Sequence, residues 1–461
     1  MLKGLEVSEV KLSEIDLGDR MDADYFEKNN LHIEQMLRKV RAKELRGFAY
    51  FVASAFYPAA TQLYSIGDTP FIRCVDCINY PLITKRQDDT FEKIPMSFVL
   101  ENDGINLLNR NDIVITKVGS PCYASLVYEH NVVALSRTVM GLKNINGINP
   151  FYLLVFLRSK YGFSQLLRAR ELTIQYQLTL ERVKRIRIFV PEESLQLQIE
   201  QMVKSAHAKL EESKQLYTEA ENMLLEELGL KNWQPKNENI NVKTLSESFS
   251  SSGRWDAEYY QSKYDEIENK IKTNCNYTRL GDCFNIHSNP SPKQYFNSGI
   301  KVIKTKNIRI PSIDFGAITD CTIDDCLKIE KNDLLFASMG VGSLGRMSFV
   351  FETNEDCTID GTIKLLRTKE QYRNLNIEIP SLMFLTSKIG QELIYKNIIG
   401  STGIISISKE SIENLTLPII NYDICTKITN MVFKSFALKK ESKFLLEQAK
   451  TMVENEIEKG V

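Results

Sequence analysis

Arg20–Phe26 (RMDADYF) recurs 234 residues later as Arg254–Tyr260 (RWDAEYY), and this repeated stretch decides the fold. Two further segments recur in the same order: Leu154–Gly162 (LVFLRSKYG) as Leu382–Gly390 (LMFLTSKIG), and Asn111–Val114 as Asn332–Leu335. Along the chain the offset changes from 234 to 221 and then to 228, which is typical of loop insertions between two homologous copies. A single duplication of this length predicts two equivalent domains rather than a solenoid of short repeats.

The composition is that of an ordinary globular protein. At 461 residues the chain is too long for one hydrophobic core, so we expect two to four domains. No apolar run approaches the roughly 18–20 residues that a membrane-spanning helix needs. The nine cysteines are scattered among strand-like segments, which fits reduced thiols. These observations predict a soluble cytoplasmic protein that does not contact a membrane.

Two globular copies are predicted, at residues 1–191 and 231–420, the second with a linker at 231–245. Each mixes short β-branched runs, such as Ile113–Thr116 and Leu334–Phe336, with helical patterns around Phe151–Leu167 and Ser381–Tyr395. Each copy is therefore predicted to be an α+β (mixed α/β) domain, with the strand order left open.

Each copy is followed by a purely helical segment, at residues 192–230 and 421–461. Residues 192–228 contain no glycine or proline, and apolar or small residues recur there at the spacing of a heptad seam. The seam comprises Ile199, Val203, Ala206, Leu210, Ser213, Tyr217, Ala220 and Leu224, matched by Ile428, Val432, Ser435, Lys439, Ser442, Leu446, Ala449 and Val453. We expect the two helices to form an antiparallel coiled coil between the two globular domains, in a pseudo-twofold arrangement. A helix of some 36 residues is about 54 Å long.

Charge is segregated although the net charge is only −1. Residues 158–187 hold eight basic side chains against two glutamates, whereas residues 192–228 hold nine glutamates against three lysines. Since attraction to phosphate depends on the local field, a basic surface beside an acidic helix is compatible with DNA binding.

A glycine-rich loop, Gly340–Gly345 (GVGSLG), matches the GxGxxG motif of dinucleotide-binding folds. That fingerprint requires a following helix, but Arg346–Phe351 has the pattern of a strand. A hairpin turn is therefore the favoured interpretation. A nucleotide-dependent enzyme built on this loop remains an alternative.

Other motifs that suggest chemistry are weak. Asn149–Tyr152 (NPFY) resembles the methyltransferase signature NPPY, but it precedes a helix, where proline is ordinary. Cys74 and Cys77 form a single CxxC pair, whereas a zinc site needs a second pair. The sequence thus predicts no catalytic residue, metal site or cofactor in this chain.

Polar and basic residues at corresponding places in the two copies are the predicted DNA-facing surface. Arginine, lysine, glutamine and asparagine read base edges, while lysine and serine or threonine commonly hold phosphates. The candidates are Arg73, Lys117, Arg168, Arg170, Thr173, Gln175 and Gln177 in the first copy, and Lys301, Lys304, Lys306, Asn307, Arg309, Arg346, Ser401 and Thr402 in the second. Arg73 is expected to correspond to Lys304, and Asp76 to Asn307.

This organisation resembles the specificity subunits of type I restriction–modification enzymes. The resemblance covers nearly the whole chain and rests on the order domain, helix, domain, helix. It also rests on Arg254–Tyr260, on Asn332–Phe336 followed by Gly340, and on the junction Leu224–Leu230 with Trp233. The first copy departs from the pattern, because Asp19 occupies the position immediately before Arg20, where the pattern has a glycine.

The resemblance implies a non-catalytic reader of double-stranded DNA. Each recognition domain would read one part of a bipartite asymmetric site, and the paired helices would set the spacer. Two methylation subunits, which carry S-adenosylmethionine, and restriction subunits, which use ATP and Mg²⁺, would be the partners. A duplicated protein–protein scaffold without DNA function is the remaining alternative.

Overall fold

The computed structural model describes residues 7–11, 22–55, 60–64, 66–87, 89–120, 122–171, 176–236, 238, 240–292, 294–324, 326–353, 356–400 and 405–460. The chain divides into two compact units, one formed by residues 1–211 and 438–461 and the other by residues 212–437. Each unit contains one copy of the repeat and part of both long helices. The sequence predicted four segments in which each long helix stands apart from the globular domains. These limits remain a prediction: 1–191, 192–230, 231–420 and 421–461.

The first unit contains three sheets. Its strands are β1 (Lys43–Glu44), β2 (Tyr50–Ala53), β3 (Thr69–Ile72), β4 (Leu82–Ile83), β5 (Lys93–Ile94), β6 (Leu107–Asn109), β7 (Ile113–Thr116), β8 (Ala124–Val127), β9 (Val132–Leu135), β10 (Val139–Lys143) and β11 (Arg187–Ile188). Their orders are β2-β10-β7-β8-β4, β5-β3-β9-β6 and β1-β11. Strand β7 (IVIT) is buried at every position, as a strand covered on both faces requires.

Helices surround these sheets. They are α1 (Lys28–Lys39), α2 (Cys74–Asn79), α3 (Met96–Leu100), α4 (Pro150–Arg158), α5 (Lys160–Arg168), α6 (Leu180–Lys184) and the start of α7 (Glu193–Glu227). The main core of the unit joins β7, β8 and β10 to α4 and α5, and it also takes in Ile199 and Val203 of α7.

The second unit repeats this design. Its helices are α8 (Phe249–Ser252), α9 (Ser262–Asn274), α10 (Leu280–Cys283), α11 (Glu378–Thr386), α12 (Lys388–Lys396), α13 (Lys409–Glu413) and part of α14 (Tyr422–Lys459). Its strands are β12 (Tyr277–Arg279), β13 (Phe284–Ser288), β14 (Ile300–Ile303), β15 (Cys321–Thr322), β16 (Leu334–Ala337), β17 (Met347–Phe349), β18 (Cys357–Ile359), β19 (Ile363–Thr368) and β20 (Thr416–Pro418).

The sheet orders show that the two copies share one topology. The order β13-β19-β16-β17 matches β2-β10-β7-β8, and β12-β20 matches β1-β11. A parallel pair lies beside an antiparallel neighbour in both copies: β14 with β18 and β15 in the second, and β3 with β9 and β5 in the first. The predicted duplication of an α+β domain is confirmed.

The predicted continuous helices around 151–167 and 381–395 are each broken by a serine. Ser159 and Ser387 are extended, and each accepts a hydrogen bond from the backbone N–H of a glycine three residues later, Gly162 or Gly390. A Cβ at either glycine would lie 2.1 Å from a backbone oxygen of the preceding helix. The repeated SKxG sequence therefore encodes a helix–helix corner, because only glycine allows this close approach.

Helices α7 and α14 pack antiparallel within each unit. In the first unit, Ser442 Oγ donates to the Ala206 carbonyl at 2.6 Å, and Lys209 pairs with Glu441 at 2.6 Å. In the second unit, Ser213 and Ser435 each donate to the other's carbonyl at 2.7 Å. The residue numbers on one helix rise as those on the other fall, which confirms the antiparallel pairing.

The predicted seam is largely correct. Ile199, Val203, Leu224, Ile428, Val432 and Val453 are buried, and Leu210, Tyr217 and Leu446 are half-buried. The spacing predicts an imperfect seam at Lys439, with Leu438 among the neighbours able to supply contacts, and Lys439 is exposed while Leu438 is buried. A buried ammonium without a partner would be costly, so the apolar neighbour takes the position. Among the described residues, no helix is long and apolar enough to cross a membrane.

Candidate nucleic-acid interface

A basic residue ends the central parallel strand of each copy and begins a helical turn. The Arg73 N–H donates to Asp76 Oδ2 at 2.8 Å, and the Lys304 N–H donates to Asn307 Oδ1 at 3.0 Å. Asp76 and Asn307 are both buried. Because β3 and β14 end at the same place in the two sheets, the structure puts these four residues at equivalent positions, as the sequence predicted.

Each of these cations is paired with a carboxylate just before the antiparallel neighbour strand. Arg73 Nη1 lies 3.1 Å from Glu92, and Lys304 Nζ lies 3.4 Å from Asp320. Lys304 also sits 3.7 Å from the centre of the Tyr295 ring, whose hydroxyl donates to Asp360 at 2.9 Å. Both side chains remain about 30% exposed, at 30% and 29%. Each copy thus presents a positioned cation at the end of its strand.

A second polar edge lies where β7 and β16 end. The Leu178 N–H donates to the Lys117 carbonyl at 2.9 Å, and the Ile407 N–H donates to the Ser338 carbonyl at 3.0 Å in the equivalent place. Lys117 is half-buried, and burial lowers the pKa of its ammonium. Gln177 is exposed and forms isolated bridges with Val118 and Glu171. Thr173, Gln175, Ser401 and Thr402 lie outside the described residues.

The glycine-rich loop is a hairpin turn, as the sequence favoured. It joins the antiparallel strands β16 and β17, and Gly340, Gly342 and Gly345 adopt positive φ angles of 106°, 73° and 81°. Strand β17 stands where a dinucleotide fold needs a helix, so the loop does not present a helix N-terminus to a pyrophosphate. The interpretation as a nucleotide-binding loop is therefore not supported. Arg346 is exposed at the end of this turn.

The remaining basic candidates of the second copy surround β14. Lys301 is half-buried on β14 itself, whereas Lys306 and Arg309 are exposed after it. Lys306 Nζ lies 3.7 Å from Asp320, and Arg309 Nη1 donates to the Ile308 carbonyl at 3.0 Å. Together with Lys304, they place a group of cations along one strand and the loop that follows it.

Arg168 and Arg170 have intramolecular partners. Arg168 Nε donates to the Tyr25 carbonyl and Nη1 to Glu34, both at 2.8 Å, and its side chain is only 13% exposed. Lys396 occupies the equivalent place in the second copy, where it pairs with Glu268. This arrangement fastens the end of α5 to α1 in the first copy and the end of α12 to α9 in the second. Arg170 lies 4.3 Å from the centre of the Tyr176 ring.

A cavity of about 140 Å³ in the first unit brings together four arginines that the sequence motifs did not group. We call it the basic cavity; its wall includes Arg168, Arg182, Arg185, Arg187 and Glu34. The charge-rich run 158–187 was the only sequence signal of it, because α1, α5 and the segment around α6 come together only in the folded unit.

The other sequence motifs have structural roles. The Asn149 side chain accepts hydrogen bonds from the backbone N–H groups of Phe151 and Tyr152, so NPFY caps α4. Cys74 and Cys77 lie on α2, and burial raises the pKa of both thiols. Within the part of the chain that the structure describes, no group of three or more histidine, cysteine or carboxylate side chains is arranged to hold a metal ion.

Comparison with solved structures finds subunits of type I restriction–modification systems. The S subunit of such a system from M. genitalium is 12% identical, covering 91% of this chain and 95% of its own, with a TM-score of 0.46. The HsdS subunit from Thermoanaerobacter tengcongensis is 14% identical, covering 77% of this chain and 81% of its own, with a TM-score of 0.29. A structure reported for complex assembly and conformational transition of the type I R-M system is 14% identical. It covers 77% of this chain and 82% of its own, with a TM-score of 0.31. No family model and no curated protein matches the chain.

Proposed function

We propose that this chain is the DNA-recognition (specificity) subunit of a type I restriction–modification system. Each α+β unit reads one part of a bipartite asymmetric DNA site. The chain itself performs no catalysis, and its partners are double-stranded DNA, two methylation subunits and restriction subunits. The methylation subunits supply S-adenosylmethionine, and the restriction subunits use ATP and Mg²⁺.

The observation that carries the proposal is a shared frame with different side chains. In both copies a basic residue follows the parallel strand and a carboxylate pairs with it: Arg73 with Glu92, and Lys304 with Asp320. The edges nearby differ, with Lys117 and Gln177 in the first copy and Ser338 and Ser406 in the second. Two readers built on one frame, but with different hydrogen-bonding groups, suit two different halves of one site.

The paired helices support a role in spacing. Helices α7 and α14 are 35 and 38 residues long, and their seam is buried in both units. We propose that their length sets the number of base pairs between the two half-sites. Their outer surfaces carry many glutamates and present apolar side chains such as Phe444, which is 61% exposed. We propose that these surfaces dock the methylation subunits.

Selection of bound duplexes from a random DNA library tests the function directly. The purified complex of this chain with its methylation subunits is expected to enrich a bipartite site with two defined halves. Enrichment of no sequence, or of a single continuous site, would contradict the proposal. Titration of the isolated chain with dinucleotides and ATP is expected to show no binding, which separates this function from a nucleotide-dependent enzyme.

The spacing role makes a quantitative prediction. One heptad inserted between Lys209 and Leu210, together with one between Leu438 and Lys439, keeps the seam in register and lengthens each helix by about 10.5 Å. That corresponds to about three base pairs of DNA, so the preferred spacer should grow by about three while both half-sites stay the same. The selection experiment on the double-insertion variant measures this.

The matched control carries the heptad in α7 alone. Its seam residues no longer face their partners, so we expect weak binding with no defined longer spacer. A double-insertion variant that binds well and keeps the original spacer would refute the spacing role while leaving sequence recognition intact.

A further inference from the structure

The basic cavity is the strongest unassigned binding feature of the described residues. Its wall holds four arginines against the one carboxylate of Glu34. The Glu34 carboxylate is engaged by Arg168 at 2.8 Å and by Arg38. Arg182 pairs with Glu171, which lies outside the lining, so the four arginines around the cavity still outnumber the two carboxylates beside them.

These three arginines come from one short segment, and the contacts of Arg182 and Arg187 occupy only some of their N–H donors. Arg182 Nε lies 3.5 Å from Glu171, beyond ordinary hydrogen-bond distance, and Arg187 uses Nη1 on the Ala42 carbonyl at 3.3 Å. Arg185 is exposed. An arginine has five N–H donors in a planar fork that matches the oxygens of a phosphate group.

The size of the cavity narrows the ligand. A volume of about 140 Å³ is well below the roughly 300–1,000 Å³ of ordinary small-molecule pockets. It is suited to one tetrahedral oxyanion rather than to a nucleotide. The apolar surface that a nucleobase needs is also limited, since Arg168 covers the ring of Tyr25 at 4.0 Å and the aliphatic residues of the lining are Ile33, Ala169 and Ile186.

The position of the cavity indicates which kind of phosphate it would bind. Arg182 faces Glu171, and Glu171 bridges to Gln177 across the loop that holds the DNA-facing candidates Thr173 and Gln175. A phosphate bound here would lie beside the base of that loop. Building on the proposed function, we propose that the basic cavity binds one phosphate group of the DNA backbone and thereby positions the first recognition domain on its half-site.

The second copy supplies the variant that tests this. At the positions equivalent to Arg182, Arg185 and Arg187, it has Ser411, Asn414 and Thr416. The triple variant R182S/R185N/R187T therefore introduces residues that this fold already accepts. The single variant R185N removes one exposed arginine and is the safer test of folding. Lys204→Ser removes a cation of the same unit that pairs with Glu200 on α7, outside the cavity, and serves as the matched control.

Binding is measured between 50 and 300 mM salt on the selected bipartite duplex and on a scrambled duplex. The plot of log binding constant against log salt concentration has a negative slope. Loss of one phosphate contact makes that slope shallower by about 0.9 and weakens binding at 0.1 M salt by roughly tenfold. We expect this change in the triple variant for both duplexes, with an unchanged ratio between them. R185N should change in the same direction by less, and Lys204→Ser should match the wild type.

Several results would overturn the inference. A folded triple variant with the wild-type salt slope would show that no phosphate is held in the cavity. A slope reduced by about 2.7 would show three separate surface contacts rather than one phosphate. If inorganic phosphate raised the melting temperature of the wild type but not of the triple variant, while DNA binding stayed equal, the cavity would hold a free anion only. In each of these cases the bipartite preference itself would survive, so the proposed function would stand.

Discussion

The two copies hold equivalent glutamates with different cations. Arg168 joins Glu34 in the first copy, and Lys396 joins Glu268 in the second. An aromatic ring, Tyr25 or Tyr259, stacks near the cation in both copies, at 4.0 and 5.3 Å. This joint therefore requires a cation between the glutamate and the tyrosine ring, whereas the donor geometry can be that of either arginine or lysine.

The helix caps teach the same lesson about charge. Asp76 and Asn307 both accept the N–H of the residue three positions before them, although one is a carboxylate and the other an amide. The basic cavity is different, because three of its four arginines are replaced by small neutral residues in the second copy. Positions that hold the backbone are retained in kind, whereas these positions around the cavity have diverged. Exchanging equivalent residues between the copies tests this distinction.

The largest expected effect is at the Arg168 joint. Arg168→Leu leaves Glu34 without its main partner, and we expect a loss of about 2 kcal/mol, less than for a fully buried pair because Glu34 is 30% exposed. Arg168→Lys imports the cation of the second copy and should cost about half as much. Denaturant unfolding of the full chain measures both. A leucine variant no less stable than the lysine variant would break the comparison.

A smaller effect is expected where α7 and α14 cross. Ser435 in the second unit corresponds to Ala206 in the first, and only the second unit has the reciprocal serine pair with Ser213. Ser435→Ala removes one buried hydrogen bond and should cost about 1 kcal/mol.

The reverse exchange at this crossing is the control. Ala206→Ser places a hydroxyl opposite Ser442. It should stabilise the first unit by a similar free energy of unfolding if the site accepts the hydroxyl. Thermal unfolding of the two single variants and the double variant tests the pair. Equal destabilisation by both single variants would show that packing, not hydrogen bonding, decides this crossing.

The smallest expected effect concerns the Asp76 cap and depends on pH. Burial raises the pKa of Asp76 above its ordinary value, despite the opposing hydrogen bond and charge of Arg73. The ionised carboxylate is therefore disfavoured in the folded state, and its contribution to stability falls as pH rises from about 4 through the folded pKa. Asp76→Asn, the residue of the second copy, removes this dependence while keeping the cap.

The expected result is a free-energy difference between wild type and Asp76→Asn that changes in favour of the variant as pH rises above about 4. The change should remain below about 1 kcal/mol, and denaturant unfolding at pH 4 to 7 measures it. Asp76→Ala is the control, because it loses the cap and should be less stable at every pH. A constant difference between wild type and the asparagine variant would show that the charge of Asp76 has no effect.

Much of the frame could be predicted from local patterns. The repeat predicted two α+β copies, and the absence of glycine and proline over residues 192–228 predicted α7. Periodicity also found most of the seam, because burial on one helix face repeats with a regular spacing. The imperfect position at Lys439 was also predictable, because an ammonium is costly to bury, and the adjacent Leu438 is buried in its place. The helix breaks at Ser159 and Ser387 were missed, because a tight corner depends on contacts across it.

The candidate interface was less accessible to prediction. Arg73 and Lys304 were correctly matched to each other, since both follow the same strand in the repeat. Arg168 was chosen because it is basic and lies in a basic run, yet its guanidinium is engaged by Glu34, more than 130 residues away in the chain. No local pattern could reveal that partner. Its assignment to DNA remains a prediction, as do those of the other candidates.

The sequence by itself determined that this protein is built twice, that each copy is an α+β domain, and that a long helix follows each copy. These properties depend on local propensity, on periodicity and on the repeat, all of which are written along the chain. The folded structure was needed to show which cations are paired and which face solvent, and that Arg182, Arg185 and Arg187 line one cavity. Such properties depend on burial and charge between residues distant in sequence, and those distances exist only once the chain has folded.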